Sequence, residues 1–126
     1  MECPQCSGIE TEEHATDDGF VFDRCPECTS VWMDSAELSR LLLRNRLPGL
    51  DALGGRVNLS ETAGTCPEDL TDLVVVEAIK KPDLTYAMCE ICGGVWITPD
   101  GETFPEDAAG ALASIVGFFK TFAAAR

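Results

Sequence analysis

Short runs of alternating apolar and polar residues, separated by turns, fill most of the chain, and two stretches switch to helical spacing. Phe20 and Phe22, with Val21 and Asp23 interleaved, predict a short strand after the Asp18-Gly19 turn. Leu73 to Ile79 is a β-branched run, and Lys81-Pro82-Asp83 turns it back into Leu84-Thr85-Tyr86-Ala87-Met88. Val31-Trp32-Met33-Asp34 and Val95-Trp96-Ile97-Thr98 each predict a further short strand. A helix follows the first of these. Asp34 or Ser35 caps it, Glu37 lies near the capping-box position, Leu38, Leu41 and Leu42 fall at i, i+3, i+4, and Pro48-Gly49 ends it. Pro99-Asp100-Gly101 reads as a turn, and Pro105-Glu106-Asp107 as the proline and acidic first turn of a second helix. From Ala108 to Ala125 that helix is almost wholly apolar or small, with Leu112, Ile115, Val116, Phe119 and Phe122 on one stripe. Gly110 with Ser114, and Ala113 with Gly117, give small-xxx-small spacing on its other side. Such a helix has too little polar surface to stand exposed.

The cysteines divide this pattern into two copies. Cys3-Pro4-Gln5-Cys6 is followed after 18 residues by Cys25-Pro26-Glu27-Cys28, with Trp32 four positions beyond. Cys66-Pro67-Glu68-Asp69 is followed after 19 residues by Cys89-Glu90-Ile91-Cys92, with Trp96 at the same offset. Two CxxC knuckles bracketing a hairpin make a tetrahedral thiolate site, for which Zn²⁺ is the usual structural metal. Each tryptophan is expected to cover its hairpin as core. The predicted fold is a small α+β chain of two tandem zinc ribbons, short antiparallel hairpins with CxxC knuckles, each followed by an α-helix. The boundaries are a first ribbon plus helix over 1–46, a glycine-rich linker over 47–65, a second, degenerate ribbon over 66–104, and the apolar helix over 105–126.

Composition narrows the chemistry. The formal charge is −13, from 22 acidic against 9 basic residues, and a zinc site with four thiolates carries a further charge of about −2. A phosphate backbone would be repelled unless the basic residues cluster. They do so once: Arg40, Arg44, Arg46 and Arg56 give residues 36–56 a net charge of about +2. Those arginines are expected to be solvated or to meet the acidic second ribbon, with phosphate or an acidic partner as the alternatives. The odd count of seven cysteines, their paired spacing and the lack of room for a signal peptide before Cys3 predict reduced, metal-bound thiols in a cytoplasmic protein. A thioredoxin-type redox pair would instead be a single CxxC opening a helix.

The segment CPQC, a hairpin, then CPECTSVWMDSAELSRLL resembles the transcription-factor zinc-finger family of bacterial proteins, named for its likeness to the TFIIB zinc ribbon. Residues 3–42 carry the pattern closely and residues 66–104 carry it in weaker form. The resemblance implies zinc on Cys3, Cys6, Cys25 and Cys28, and in the second copy on Cys66, Cys89 and Cys92. It implies no established catalytic activity, and it suggests nucleic acid only by analogy of fold. A first-site metal is expected to contribute about 10–16 kcal/mol to folding, more than a core of this size offers alone.

Asp69 stands where the pattern has cysteine. Three readings remain open there: a carboxylate completing a Cys₃Asp zinc site, a second module standing on its apolar core without metal, or a three-cysteine site with water in the fourth position. The single histidine, His14, lies in an acidic stretch and reads as a surface residue. No catalytic triad, phosphate-binding glycine loop or paired acid emerges. The leading expectation is a non-enzymatic zinc-binding adaptor that meets a protein partner, or a second copy, through the Leu112, Ile115, Val116, Phe119 and Phe122 stripe. That stripe folding back over the ribbons is the competing reading. A nucleic-acid-associated ribbon using Arg40, Arg44 and Arg46 is the alternative. Membrane attachment requires the native chain to continue past Arg126, because Ala108 to Phe119 is shorter than a span.

Overall fold

The computed structural model describes residues 1–98 and 108–125; the turn expected at Pro99-Asp100-Gly101, the helix start at Pro105-Glu106-Asp107, and Arg126 lie outside them. In chain order the elements are β1 (Glu12–Ala15), β2 (Val21–Arg24), β3 (Val31–Asp34), α1 (Ser35–Arg44), a 3-10 turn at Leu50–Ala52, β4 (Arg56–Thr65), β5 (Asp72–Glu77), β6 (Thr85–Met88), β7 (Gly94–Ile97) and α2 (Ala108–Ala124). Small α+β architecture with two cysteine-bearing hairpin units, each followed by a helix, is therefore what the chain adopts.

The units are not separate beads. Their third strands pair, Val31 with Ile97, Trp32 with Trp96, Met33 with Val95 and Asp34 with Gly94, so both copies share one antiparallel sheet of seven strands in the order β1-β2-β3-β7-β6-β5-β4. Trp32 faces Trp96, its own counterpart in the repeat, which places a pseudo-twofold axis between them. Strand alternation then sorts side chains onto two layers. Val31, Met33, Val95 and Ile97 join Phe20, Phe22 and the helices on one face, while Trp32 and Trp96 lie with Cys3, Cys25, Cys66 and Cys89 on the other. Each tryptophan is buried, as the sequence pattern required.

Helix α1 begins where Asp34 Oδ1 accepts from Ala36 N at 2.9 Å, and Leu38, Leu41 and Leu42 are buried beneath it. Glu37 does not close a capping box. It accepts from Val21 N at 3.2 Å and pairs with Arg40 at 2.9 Å, joining the helix to the hairpin instead. Ser35 N donates to Gly93 O at 2.9 Å, so the first helix starts on a knuckle of the second unit.

Two expectations are corrected. Residues 47–65 are not only a linker: β4 occupies Arg56–Thr65 and pairs with β5 through two register shifts. The glycines that suggested a connector are what admit the strand. Gly55 has φ +108, and a Cβ there would stand 2.9 Å from both Phe122 Cζ and Val76 Cγ1, so only glycine lets the chain pass under α2 into β4. The second correction concerns the apolar stripe. Leu112, Ile115, Val116, Phe119 and Phe122 are buried against Leu41, Leu42, Leu53, Val76 and Tyr86, and both phenylalanines meet the Tyr86 ring edge-on at 5.3 and 5.2 Å. Burying five large side chains within the chain removes them as a surface for a partner or a second copy. Lys80 N, donating to Ala125 O at 2.8 Å, fastens the far end of α2 to the sheet. Among the described residues no helix is long and apolar enough to cross a membrane.

Candidate metal centres

Four knuckles hold the cysteines. Cys3–Cys6 precedes β1, Cys25–Cys28 links β2 to β3, Cys66–Asp69 links β4 to β5, and Cys89–Cys92 links β6 to β7. The last three turns close alike on their own backbone: Thr29 N donates to Cys25 O, Leu70 N to Cys66 O and Gly93 N to Cys89 O, at 3.0 to 3.1 Å, whereas in the first Ile9 N donates to Cys6 O at 3.1 Å. The residue after the last ligand then takes a left-handed conformation, at φ 63 for Thr29, 63 for Leu70 and 77 for Gly93. For the non-glycine residues this costs about 1–2 kcal/mol each.

The structure brings Cys3, Cys6, Cys25 and Cys28 together, and separately Cys66, Asp69, Cys89 and Cys92, with the ligand atoms of each set all within 4.8 Å of one another. Cys3 and Cys28 Sγ are 3.6 Å apart, as are Cys66 and Cys92 Sγ. A tetrahedron with Zn–S bonds of about 2.3 Å has edges of about 3.8 Å, and a disulfide would need about 2.05 Å. The spacing fits a shared metal. Amide donors already point at the sulfurs, from Gln5 N to Cys3 at 3.4 Å and from Cys28 N to Cys25 at 3.5 Å. Cys92 N does the same for Cys89 at 3.5 Å.

Without metal the thiols differ according to their surroundings. Burial pushes Cys3 and Cys66 up, and pushes Cys6 to about 11 and Cys92 to about 12. Burial also opposes ionisation of Cys28, but the Ser30 hydroxyl and amide outweigh it and bring that thiol down to about 7. Cys89 is lowered despite burial, by knuckle amides and the Thr71 hydroxyl. Ser30 is fully buried. It joins Cys28 at 3.2 Å to Thr98 at 2.8 Å, tying the first site to the end of β7.

Asp69 is built as a single-oxygen donor. Its Oδ1 accepts from Thr71 N at 3.1 Å and from the Thr71 hydroxyl, while Oδ2 lies 3.2 Å from Cys89 Sγ. Those bonds from Thr71 hold the carboxyl at about 2, so it is ionised whenever metal is present. One oxygen is therefore oriented by a neighbour and the other is turned to the donor set, as in carboxylate ligands with a supporting hydrogen bond. Sequence reading identified Asp69 and missed Thr71, whose position two residues after an aspartate is the signal for such a turn.

Two of the clustered arginines are engaged within the fold. Arg40 lies 4.5 Å over the Phe20 ring and donates to Gly19 O, and Arg44 lies 5.4 Å from the same ring and pairs with Asp18 at 3.6 Å. Arg46, at φ 63 beyond the end of α1, is exposed. His14 stacks on Phe22 at 5.5 Å, away from either donor set.

Two such donor sets on a shared antiparallel sheet define a duplicated zinc ribbon, with zinc as its cofactor. Residues 2–44 match the family model described as transcription factor zinc-finger, a span that holds the first donor set, β1 to β3 and α1. The second unit, with its aspartate, lies outside that match. Comparison with curated proteins and with solved structures gave no match.

Proposed function

We propose that this chain is a non-catalytic zinc ribbon protein that binds another protein. The observation that carries this reading is the engagement of Arg40 and Arg44 by Phe20, Asp18, Glu37 and Gly19 within the fold. With those cations occupied, a surface of net charge −13 has little to offer a phosphate backbone. Four protein donors at each centre close the coordination shell, the arrangement of structural rather than catalytic zinc. A cytoplasmic location is supported by the reduced thiols that the sites need.

The name of the matched family supplies a second reading, a transcription-linked ribbon touching nucleic acid, for which Arg46, exposed just beyond α1, is the cation left of the Arg40, Arg44 and Arg46 set. Photocrosslinking of the zinc-loaded chain in cells, with adducts analysed by mass spectrometry, tests both. Protein adducts are expected. Adducts to nucleic acid alone, together with retention on labelled duplex DNA or RNA that falls steeply with salt, would replace the first reading by the second.

A further inference from the structure

The two metal centres present different surfaces. Leu70, directly after Asp69, is 77% exposed, and Ile91, directly before Cys92, is 74% exposed. Their counterparts at the first centre are the polar, exposed Ser7 and Glu27. Leu70 is unfavourable twice over, because its large apolar side chain stands in water and its backbone is held at φ 63. Glycine or asparagine would relieve both penalties, so neither packing nor chain geometry accounts for leucine at this position. The knuckle bond from Leu70 N to Cys66 O at 3.1 Å, beside the Asp69–Thr71 turn, fixes where the side chain is displayed. An apolar contact presented on a rigid turn loses little freedom when it is covered.

The surroundings state what would cover it. Glu68, Asp72 and Glu90 are exposed next to these two residues in the knuckles, and residues 57–79 and 82–98 contain no lysine or arginine. We propose that Leu70 and Ile91 are the apolar anchors of a docking surface for a basic, amphipathic segment of a partner protein. Leucine-like side chains of that segment cover the anchors, and its lysines or arginines meet Glu68, Asp72 and Glu90. This rests on the protein-binding reading above and supplies its surface and the chemistry of its partner. A second copy is disfavoured as the occupant, because it would bring the same acidic rim and a net charge of −13.

The test uses the full zinc-loaded chain and a fluorescein-labelled helical peptide of lysine and leucine, followed by anisotropy at two salt concentrations. Binding is expected to weaken with salt, and by about tenfold or more when the peptide leucines become serine or its lysines become glutamate. The Leu70→Asn/Ile91→Asn variant is expected to lose binding by a similar factor, with a melting temperature equal to or above the parent's. Leu43→Ser, which removes an apolar residue 62% exposed on α1, is expected to bind like the parent. Equal binding by the double variant, or an equal loss in Leu43→Ser, overturns the surface. If the peptide fails to bind while protein crosslinks form elsewhere on the chain, this surface falls and the protein-binding reading stands; no protein crosslink at all defeats both. A concentration-dependent dimer that Leu70→Asn abolishes would make the occupant a second copy and overturn the partner assigned here.

Discussion

A Cβ on Gly94 would collide with carbons Cζ2 and Cη2 of Trp32: the ring of the first ribbon lies where the second ribbon's strand would otherwise carry a side chain. Gly94→Ala should therefore destabilise the zinc-loaded protein by about 3 kcal/mol, toward the upper end for overpacking a core. Gly117 on α2 is the control, since a Cβ there meets nothing within 4 Å. Gly117→Ala should stabilise by about 0.5–1 kcal/mol, as expected in a helix interior. Denaturation midpoints at a fixed free zinc concentration separate the two.

Elemental analysis of the full chain should give two zinc ions. Asp69→Ala should lower the count toward one, while Asp69→Cys keeps two. Thr71→Val removes the hydroxyl that orients Asp69 and should weaken the second site by about tenfold, measured by competition with a chromogenic chelator. A count of two in Asp69→Ala with unchanged affinity would remove Asp69 from the ligand set.

The donor sets also differ in the protons they release. Burial keeps Cys3, Cys6, Cys66 and Cys92 protonated at neutral pH in the metal-free chain, so zinc must displace those protons and its affinity falls as pH falls. Asp69, held at about 2, has none to lose. Loading Asp69→Cys should therefore release up to about one proton more than loading the parent, read with an indicator dye in weak buffer. The depressed Asp69 value also has a sign for folding: its contribution is complete above the ordinary carboxylate range and disappears as pH falls through about 2.

Arg40→Ala should lower stability by about 0.5–1 kcal/mol through loss of its position over Phe20, with the exposed pair to Glu37 adding little. Arg46→Ala should change stability by less than about 0.5 kcal/mol. If both variants were as stable as the parent while binding to DNA or RNA fell, the cluster would be a nucleic-acid contact rather than a brace for the hairpin.

Phe119→Ala should destabilise by about 3–5 kcal/mol, because its ring is fully buried between Tyr86 and its helix neighbours. A negligible loss in thermal denaturation would place α2 away from the sheet and return its stripe to the surface.

Much of this architecture was legible because it is written locally. Ligand spacing, turn residues and two-residue alternation lie within a few positions of one another, so both donor sets, α1, β3 and β7 could be read directly from the chain. β4 could not. Its Asn58, Ser60, Glu61 and Gly64 carry connector chemistry, and the strand exists because β5 offers an edge to pair with. β1 is equally hidden, since Glu12, Glu13 and His14 acquire strand geometry from pairing with β2 rather than from a buried stripe. The pairing of Trp32 with Trp96 is a contact between residues far apart in sequence, to which neither copy alone points. The same limit applied to α2, where the stripe was evident but its cover, Val76 on β5 and Tyr86 on β6, lies far from it in sequence.

Because β7 pairs with β3 on one side and β6 on the other, the centre of the sheet is the part made last during synthesis. When β3 has emerged from the ribosome its outer edge has no neighbour, and it remains open until Ile97 follows. Metal bound early at Cys3, Cys6, Cys25 and Cys28 can set the first hairpin, yet it cannot cover that edge. The nascent chain thus passes through an interval in which a strand bearing Val31, Trp32 and Met33 is available to the wrong partner, the interval in which multistrand proteins are most exposed to misassembly.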